Sequence, residues 1–424
     1  MSLAVLQIND LDLAIQTEGG QLYSESGYAL LTDQGIETGD SAKAKRWLNP
    51  QGAFDQHWDQ LNQTPLPVKH PHARHHADLA YAQLVSLFKS VDNPDQVILA
   101  VDGHITDQQL SLLLGLLKAL NTSVVGIIDS AVVACIDHPK ARLIIEIQLY
   151  QTVITEVIRQ QDRIEILKQQ SIPDLGITQL HNLVASHISQ QLIENYRYDP
   201  LHSSASEQHI YDLIPNWLQQ LTQQPVINTQ VDSPNGELGL IIKRETIAQL
   251  FLERMESLTA SLINKSLDTV YFAEDASFIT QLIPKFNACS VLKKSLLINR
   301  CFQLMDQFPE DKLERTTAIT DLAPINSQST DSSTDTQTLA THLLYNNQAY
   351  PINKPISIYS NQKTISIASK KDKKADAVIS LHKGQLKVAN QRGNLQIRLP
   401  KAHHLGEILL IDDQSLLLIG VDGG

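Results

Sequence analysis

The stretch from Val97 to Ile136 constrains the fold most, because strand and helix patterns alternate along it. Val97–Val101 is entirely apolar, as expected for a strand that is buried on both faces. Asp107–Leu120 has the apolar spacing of an amphipathic helix, Ser123–Ile128 has the pattern of a second strand, and Ala131–Ile136 opens a further helix. A strand, a crossover helix and a strand within about 30 residues predict a parallel α/β unit.

Hairpin patterns at two places indicate that this plan occurs twice. Leu3–Glu18 has the pattern of a β-hairpin with its turn at Asn9-Asp10. Leu143–Glu146, Thr152–Arg159 and Arg163–Lys168 have the patterns of consecutive strands. Helices and a strand–helix passage follow each region. We therefore predict two duplicated lobes, on architectural grounds rather than on sequence identity.

A run of small polar residues, Asn326–Gln337, has no apolar position to bury and predicts a flexible linker. Beyond it, short alternating runs between Asn, Lys and Gly turns predict a small all-β sandwich. These runs are Ile356–Tyr359, Thr364–Ile367, Ala377–Leu381, Gln385–Val388, Leu395–Leu399 and Glu407–Ile411. The predicted domains are lobe I (1–140), lobe II (141–322), the linker (323–338) and the sandwich (339–424).

Composition narrows the class of protein. A hydrophobic fraction of 42% and a charged fraction of 19% are typical of a globular protein. The formal net charge of −12 argues against nucleic acid as a partner, because its backbone would be repelled. The three cysteines, Cys135, Cys289 and Cys301, have no paired spacing, so we expect buried thiols rather than disulfides.

The chain shows no targeting or membrane segment by pattern. Met1–Leu6 lacks the basic residues of a signal peptide and runs into acidic residues. Leu112–Leu120 is interrupted by Gly115 and Lys118 and is shorter than the roughly 20 residues that a membrane span needs. We expect a cytoplasmic protein without a membrane span.

Several segments occur in the order found in heat-shock-chaperone ATPases. Val97–Leu110 and Val124–Ala134 resemble the passage before the second phosphate loop of these proteins, and Leu143–Gln148 falls at the position of that loop. Asp174-Leu175-Gly176 falls where the family has a Leu-Gly-Gly turn that opens a helix. Thr246–Leu262 resembles the family's long helix with nucleoside contacts, and Asp268–Phe286 resembles the segment with the adenosine loop. Over about residues 1–300 the chain thus resembles the actin and heat-shock-chaperone ATPase superfamily. The resemblance implies an α/β fold with a two-lobed, duplicated ribonuclease-H-like core.

The resemblance also implies where ATP and Mg²⁺ would bind, and there the expected residues are replaced. Phosphate loops need glycine for close backbone approach, and a carboxylate to hold hydrated magnesium. The first loop reads Gln7-Ile8-Asn9-Asp10, in which Asp10 partly substitutes for the expected acid. The second reads Glu146-Ile147-Gln148-Leu149-Tyr150, whose side chains, Gln148 among them, would fill the phosphate space. Ala273-Glu274 replaces the paired glycines of the adenosine loop, whereas Gly176 is retained.

Asp129 occupies the position of an acidic residue that helps position water and magnesium in the family. As a catalytic residue, it would act with the nearby charge of Glu146. The alternative is structural, since Asp129 precedes a helix beginning at Ser130 and Asp is a preferred N-cap. Both interpretations remain open at this stage.

These observations favour a non-catalytic scaffold or adaptor that binds a partner protein and carries no cofactor. The alternative is a divergent chaperone-like ATPase with weak ATP binding, which requires Asp10, Asp129 and Glu146 to meet in one cleft. Gln148 and Tyr150 would plug that cleft in the non-catalytic case. The identity of the partner and the oligomeric state are not encoded in any recognisable motif.

The C-terminal segment is weakly similar to forkhead-associated domains. His403-His404-Leu405-Gly406-Glu407 resembles the turn before their last hairpin. The resemblance implies phosphothreonine binding, which makes a phosphopeptide-binding regulator a third hypothesis. However, Ala368-Ser369 stands where the family has Gly-Arg, and Ser380-Leu381-His382 shortens its Ser-x-x-His pair, so the main phosphate-binding cation is missing.

A histidine cluster in Lys69–Asp78 is a weak candidate metal site. His72 and His76 are four residues apart, so on a helix beginning here they would share a face and could bind zinc or nickel. Pro71 and Arg74 oppose this interpretation, because the first favours an irregular lead-in and the second repels a cation. The alternative is a polar helix N-terminus that titrates near neutral pH.

Overall fold

A computed structural model describes residues 2–161, 163–263, 265–309 and 312–320, and parts of 341–419 with gaps at 346–347, 362–363, 369, 373, 383–384, 392–396, 399–407 and 412–413. The chain divides into two compact units, Met1–Pro324 and Ile325–Gly424. The predicted linker at 323–338 lies outside the described residues. The predicted boundaries between lobes and linker stay predictions.

The first half of the larger unit, residues 2–141, contains one sheet, a small three-stranded sheet and helices. Its strands are β1 (Leu3–Ile8), β2 (Leu13–Thr17), β3 (Leu22–Glu25), β4 (Ala29–Thr32), β5 (Gly35–Thr38), β6 (Ala53–Phe54), β7 (Gln96–Val101) and β8 (Ser123–Asp129). Its helices are α1 (Asp40–Lys43), α2 (His76–Ser90), α3 (Asp107–Ala119) and α4 (Ser130–Ala134).

The second half, residues 142–309, repeats a sheet with helices around it. Its strands are β9 (Leu143–Ile147), β10 (Gln151–Gln160), β11 (Arg163–Pro173), β12 (Val226–Ser233), β13 (Gly236–Lys243), β14 (Val270–Ala273) and β15 (Ser290–Leu292). Its α-helices are α5 (Ile177–Tyr196), α6 (Ser204–Gln223), α7 (Arg244–Arg254), α8 (Glu256–Ser261), α9 (Phe278–Leu282) and α10 (Lys294–Phe302). Short 3-10 helices lie at Pro200–His202, Leu267–Thr269, Glu274–Ala276, Pro284–Phe286 and Met305–Gln307.

The two main sheets share one strand order. In the first, β1, β2 and β3 form an antiparallel meander, and β7 and β8 continue in parallel on the other side of β1. In the second, β9, β10 and β11 form the meander, and β14 and β15 continue in parallel on the other side of β9. Each parallel addition is reached through helices, as crossover connections require.

A short segment after the second half joins both sheets. Within it, β16 (Arg315–Thr316) pairs in parallel with β8, and β17 (Ala318–Thr320) pairs antiparallel with β11. We call residues 312–320 the strap. Because the strap adds one strand to each sheet, backbone hydrogen bonds on both of its ends hold the halves together.

The smaller unit is all β among its described residues. Its strands are β18 (His342–Tyr345), β19 (Gln348–Pro351), β20 (Ile356–Asn361), β21 (Thr364–Ala368), β22 (Ala377–His382), β23 (Gln385–Gln391), β24 (Ile397–Arg398), β25 (Ile408–Ile411) and β26 (Gln414–Ile419). They form two sheets, in the orders β19-β18-β26-β25-β24 and β21-β20-β22-β23. Buried side chains of both sheets share one core, for example Ile358 and Leu418.

Most elements predicted from pattern are confirmed within a few residues at their ends, including the apolar strand at β7 and the amphipathic helix α3. The helix expected at Thr246–Leu262 is found at that place, but a single non-helical residue, Met255, divides it into α7 and α8. Met255 is fully buried in the core, so burial of this side chain accompanies the break in the helix.

Candidate functional site

Asp10 reaches the space between the two sheets from the turn after β1. Its Oδ1 accepts a hydrogen bond from the backbone amide of Leu149 at 2.8 Å, so it links the first half to the second. Only 4% of Asp10 is exposed. Burial raises the pKa of Asp10 to about 7, although the Leu149 hydrogen bond acts in the opposite direction.

Asp102 and His104 follow the carboxyl end of β7 and lie beside Gln148. Asp102 contacts the His104 ring and also accepts a hydrogen bond from the Gln148 amide group. Burial alone would lower the pKa of His104, but Asp102 outweighs it and the pKa rises to about 9. The Gln148 side chain is therefore fixed by Asp102 of the first half, and its Nε2 lies 3.2 Å from His104 Nδ1.

Asp129 ends β8 and caps α4, as the N-cap interpretation predicted. One carboxylate oxygen accepts from the amide of Ala131 at 3.0 Å. The other accepts from Gln169 Nε2 at 2.8 Å and from the Arg315 guanidinium of the strap. Burial raises the pKa of Asp129 and the Arg315 charge opposes this rise. Asp129 is thus engaged by three protein donors, and its catalytic role stays a prediction.

Glu146 lies in β9, facing the first half. Its Oε1 accepts from Ser130 Oγ at 2.9 Å, while Oε2 is buried without a hydrogen-bond partner among the described residues. Burial, followed by the nearby charges of Asp102 and Asp129, raises the pKa of Glu146 well above its usual value. Asp10 and Glu146 thus both lie near the charge of Asp102, and Glu146 also lies near that of Asp129. The deep cleft that the ATPase hypothesis requires stays a prediction.

Gly176 opens α5 directly against the second loop. A Cβ at this position would lie 2.3 Å from the Leu149 carbonyl oxygen, so only glycine fits. The next two amides, of Ile177 and Thr178, donate to the carbonyls of Gln148 and Leu149 at 2.9 Å each. These are the helix N-terminal donors that bind phosphate in other proteins, and here protein carbonyls already occupy them.

Lys294 links the residues at the adenosine-loop position to the first half. Ala273 ends β14, and the Glu274 carboxylate caps α10 by accepting from the Lys294 amide at 2.8 Å. The Lys294 ammonium pairs with Asp275 at 2.8 Å and also with Asp12, which lies just after the first turn. Lys294 is only 7% exposed, so this ionic link between halves is buried.

Leu149 and Tyr150 fill the space toward the small sheet of the first half. Leu149 is 1% exposed and packs in a cluster with Tyr28, Leu30 and Ala42. The Tyr150 hydroxyl accepts from Arg46 at 3.2 Å, and Arg46 also pairs with Asp55. The side chains predicted to occupy the phosphate space therefore pack against the first half.

A further contact lies between the segment after α1 and helix α6. The Trp47 ring lies 4.5 Å from the Tyr211 ring, between centroids, and the Arg46 guanidinium lies over the Trp47 ring at 4.2 Å. The Trp47 amide donates to Gln208 Oε1 at 2.8 Å. These contacts add to the links between the halves.

The cavities beside the predicted site residues are small. The cavity beside Glu146 and Glu274 measures about 20 Å³, and the one beside Asp10 and His104 about 10 Å³. Each is close to the size of one water, whereas pockets for small-molecule ligands measure about 300–1,000 Å³. A cavity of about 950 Å³ lies elsewhere, lined by α5 and by the β12–β13 ribbon, and none of the predicted site residues lines it.

The histidine pair does not share a helix face. Helix α2 begins at His76, so His72 precedes it and the premise of the metal prediction is wrong. His72 Nε2 lies 3.4 Å from the Asp33 carbonyl, whereas His76 packs edge-on against Phe54. Within the part of the chain that the structure describes, no group of three His, Cys, Asp or Glu residues is arranged to hold a metal ion.

Sequence reasoning missed Asp102, His104, Arg315 and Lys294. The sequence did contain a signal for Asp102. It directly follows the apolar strand β7, just as Asp129 stands at the end of β8. The carboxyl ends of adjacent parallel strands lie at the same edge of a sheet, so the two side chains could be expected near each other. Arg315 and Lys294 carry no such signal. They reach the site from elements far away in the chain.

The phosphothreonine hypothesis concerns residues that are only partly covered. Ser369, His403, His404 and Gly406 lie outside the described residues. Ala368 ends β21, and Ser380 lies within β22. Phosphopeptide binding by the smaller unit stays a prediction.

Comparison with known proteins finds no matching family and no matching curated protein. Among the residues that the structure covers, no helix combines the length and the apolar character that crossing a membrane demands.

Proposed function

We propose that the protein is a non-catalytic scaffold or adaptor with an actin-like or chaperone-like core, and that the core binds a partner protein. The duplicated ribonuclease-H-like assignment draws support from the strand order that the two sheets share. Function is argued separately, from the space between the sheets, since one fold hosts many activities.

The observation that carries the proposal is the position of Gln148. Its side chain is fully buried and bonded to Asp102 across the space where the resemblance places phosphates. The α5 N-terminal amides are bonded to carbonyls of the same loop. A triphosphate entering here would have to displace a glutamine, break helix-capping bonds and lie among four buried carboxylates. Each of these costs disfavours an anion.

Isothermal titration calorimetry of the full chain with ATP and magnesium tests the proposal. We expect no saturable heat at ATP concentrations up to the millimolar range. Binding in the nanomolar to micromolar range that is abolished by Asp129→Ala would overturn it. Glu245→Gln, which neutralises an exposed acid on α7, serves as the control variant because it lies outside the cleft.

A divergent ATPase is the second candidate, favoured by Asp10 and Glu146 near the charge of Asp102 and by Glu146 near that of Asp129. In this case the halves open to admit nucleotide in an altered pose. Gln148→Gly would then remove the obstructing side chain and raise the affinity for ATP. If Gln148→Gly folds and still gives no heat with ATP and magnesium, the ATPase candidate fails. If titration with ATP and magnesium releases heat with Gln148→Gly and none with the wild type, the protein would be an inactive descendant of an ATPase, with its nucleotide site closed by Gln148.

A further inference from the structure

The β12–β13 ribbon projects from the second half with both edges unpaired by other strands of the described residues. Its register runs from Val226 opposite Lys243 to Ser233 opposite Gly236. The inner face, which includes Ile227 and Leu240, belongs to the core. The ribbon is therefore anchored on one face only.

The hydrogen-bonding phase of the ribbon follows from the contacts at its base. The Arg244 amide donates to the Pro225 carbonyl at 2.9 Å, so this pair and every second pair along the ribbon are hydrogen-bonded to each other. Gly239 belongs to the alternating non-hydrogen-bonded pairs, in which the backbone N–H and C=O groups point away from the partner strand. The Tyr196 hydroxyl confirms this phase, since it donates to the Gly239 carbonyl from outside the ribbon at 3.0 Å.

Four residues of β13 therefore turn backbone groups toward its free edge. They are Glu237, Gly239, Ile241 and Lys243, and all four are exposed on the outer face. Ile241 is 53% exposed, so its aliphatic side chain is accessible to a neighbouring strand. Tyr196 of α5 contacts this edge at the Gly239 carbonyl, and a cavity of about 950 Å³ lies between α5 and the ribbon.

The order of these residues is self-complementary. If two copies of β13 run antiparallel about a two-fold axis at Leu240, Glu237 of each copy lies opposite Lys243 of the other. In the same register, Ile241 of each copy covers Gly239 of the other, and its amide replaces the Tyr196 hydroxyl as the donor to the Gly239 carbonyl. Opposite charges are among the cross-strand pairs that stabilise antiparallel strands. A slip by two residues places Glu237 opposite Ile241 and leaves Lys243 unpaired.

We propose that the free edge of β13 is an interface between two copies of this chain, formed by antiparallel pairing of β13 with β13. The charge complementarity of Glu237 and Lys243 selects a second copy as the occupant, because the strand carries both charges at positions that a two-fold axis exchanges. The interface is confined to one strand and its surroundings, so it forms a weak, concentration-dependent dimer. It lies apart from the cleft, so it does not depend on the absence of nucleotide.

Sedimentation equilibrium of the full chain at about 50 mM salt tests the interface, since exposed charge pairs are screened at higher salt. The wild type is expected to show a reversible monomer–dimer equilibrium between micromolar and millimolar protein. Lys243→Glu and Glu237→Lys each place like charges opposite one another twice per dimer. Each single variant is expected to weaken dimerisation about tenfold or more.

The double variant Glu237→Lys with Lys243→Glu restores both attractive pairs and is expected to restore dimerisation. Lys118→Glu changes an exposed lysine on α3 and alters the net charge as Lys243→Glu does, so it controls for general repulsion. Ile241→Pro removes an outward amide without removing a bond inside the ribbon, and it is expected to abolish the dimer.

Three results would overturn the proposal: a wild type that stays monomeric over the whole range, a dimer that ignores all the edge variants, or a double variant as weak as the single ones. Circular dichroism establishes that each variant folds. If one charge variant does not fold, the other charge variant and Ile241→Pro still decide the outcome. Pairing with a strand from a different protein would appear as a monomeric wild type and would count against a second copy.

Discussion

The carboxylate of Asp10 accepts a hydrogen bond from the amide of Leu149 at 2.8 Å, across the space between the two sheets. These residues belong to the first and second phosphate-loop positions implied by the resemblance. In a nucleotide-binding protein the two loops would face the same phosphates, whereas here they bond to each other. The protein's own groups thus close the space between the two loops.

Gly176→Ala is expected to destabilise the protein by about 3 kcal/mol, because the new Cβ would lie 2.3 Å from the Leu149 carbonyl oxygen and the backbone on both sides is fixed. Urea unfolding measures the change. Gly115→Ala is the matched control, since that helical glycine has nothing within 4 Å of the added methyl group, and it should stabilise by about 0.5–1 kcal/mol. Equal effects of the two substitutions would contradict the packing of Gly176 on the second loop.

Lys294→Met is expected to lower the free energy of unfolding by about 3–5 kcal/mol, because it leaves buried Asp275 without its cation. Lys45→Met provides the comparison. Lys45 pairs with Glu37 at the surface, where such pairs contribute at most about 1 kcal/mol. Thermal or urea unfolding of both variants gives the difference, and a small effect at Lys294 would show that its pair with Asp12 does not hold the halves together.

Asp10 and His104 are each expected to contribute stability that is lost as pH rises, Asp10 between about 4 and 7 and His104 between about 6.5 and 9. The folded-state pKa of Asp10 is raised from 3.8 to about 7, and that of His104 from 6.5 to about 9, so the folded protein holds protons that the unfolded chain releases. The Asp10 contribution is present below pH 3.8 and is lost as pH rises through 7. The His104 contribution is present below pH 6.5 and is lost through 9.

Urea unfolding across this pH range checks the slope. Asp10→Asn should remove the Asp10 contribution, so that the stability of the variant relative to the wild type rises between pH 4 and 7, because the amide has no proton to release. Asp33→Asn, at an exposed position, should leave the slope unchanged. An unaltered slope in Asp10→Asn would show that Asp10 does not carry this proton linkage.

All three thiols should resist a chromogenic disulfide reagent in the folded protein at pH 8. Burial raises the pKa of Cys135 and Cys301 to about 12 and that of Cys289 to about 11, so little thiolate is present. Unfolding in urea should release three reactive thiols. Fast reaction of one thiol in the native state would reveal local opening around it, with Cys289 the first to examine because it is the most exposed of the three.

Sequence pattern was sufficient for much of the secondary structure. The apolar run at β7 and the helical spacing of α3 depend on nearest neighbours along the chain, so periodicity found them. The N-cap role of Asp129 was equally local, because a cap bonds an amide two residues away. The break at Met255 was missed, since no glycine or proline marks it.

For the candidate site, the sequence identified some of the residues but not the side chains to which they are hydrogen-bonded or paired. It placed Glu146 and Gln148 at a loop that lacks glycine, and predicted that side chains would fill the phosphate space. It did not supply Asp102 as the acceptor for Gln148, nor Arg315 as the cation beside Asp129. These partners lie 46 and 186 residues away along the chain, beyond the reach of any local pattern.

The sequence by itself determined which loops lost their glycines and which strands and helices form, because these are properties of short segments. Only the tertiary structure decided that the loops close on each other. Burial and charge act through space, so the ionic link from Lys294 to Asp12 and the strap across both sheets exist only once the halves have met. The same holds for β13, whose exposed edge becomes recognisable only after the ribbon has packed on one face.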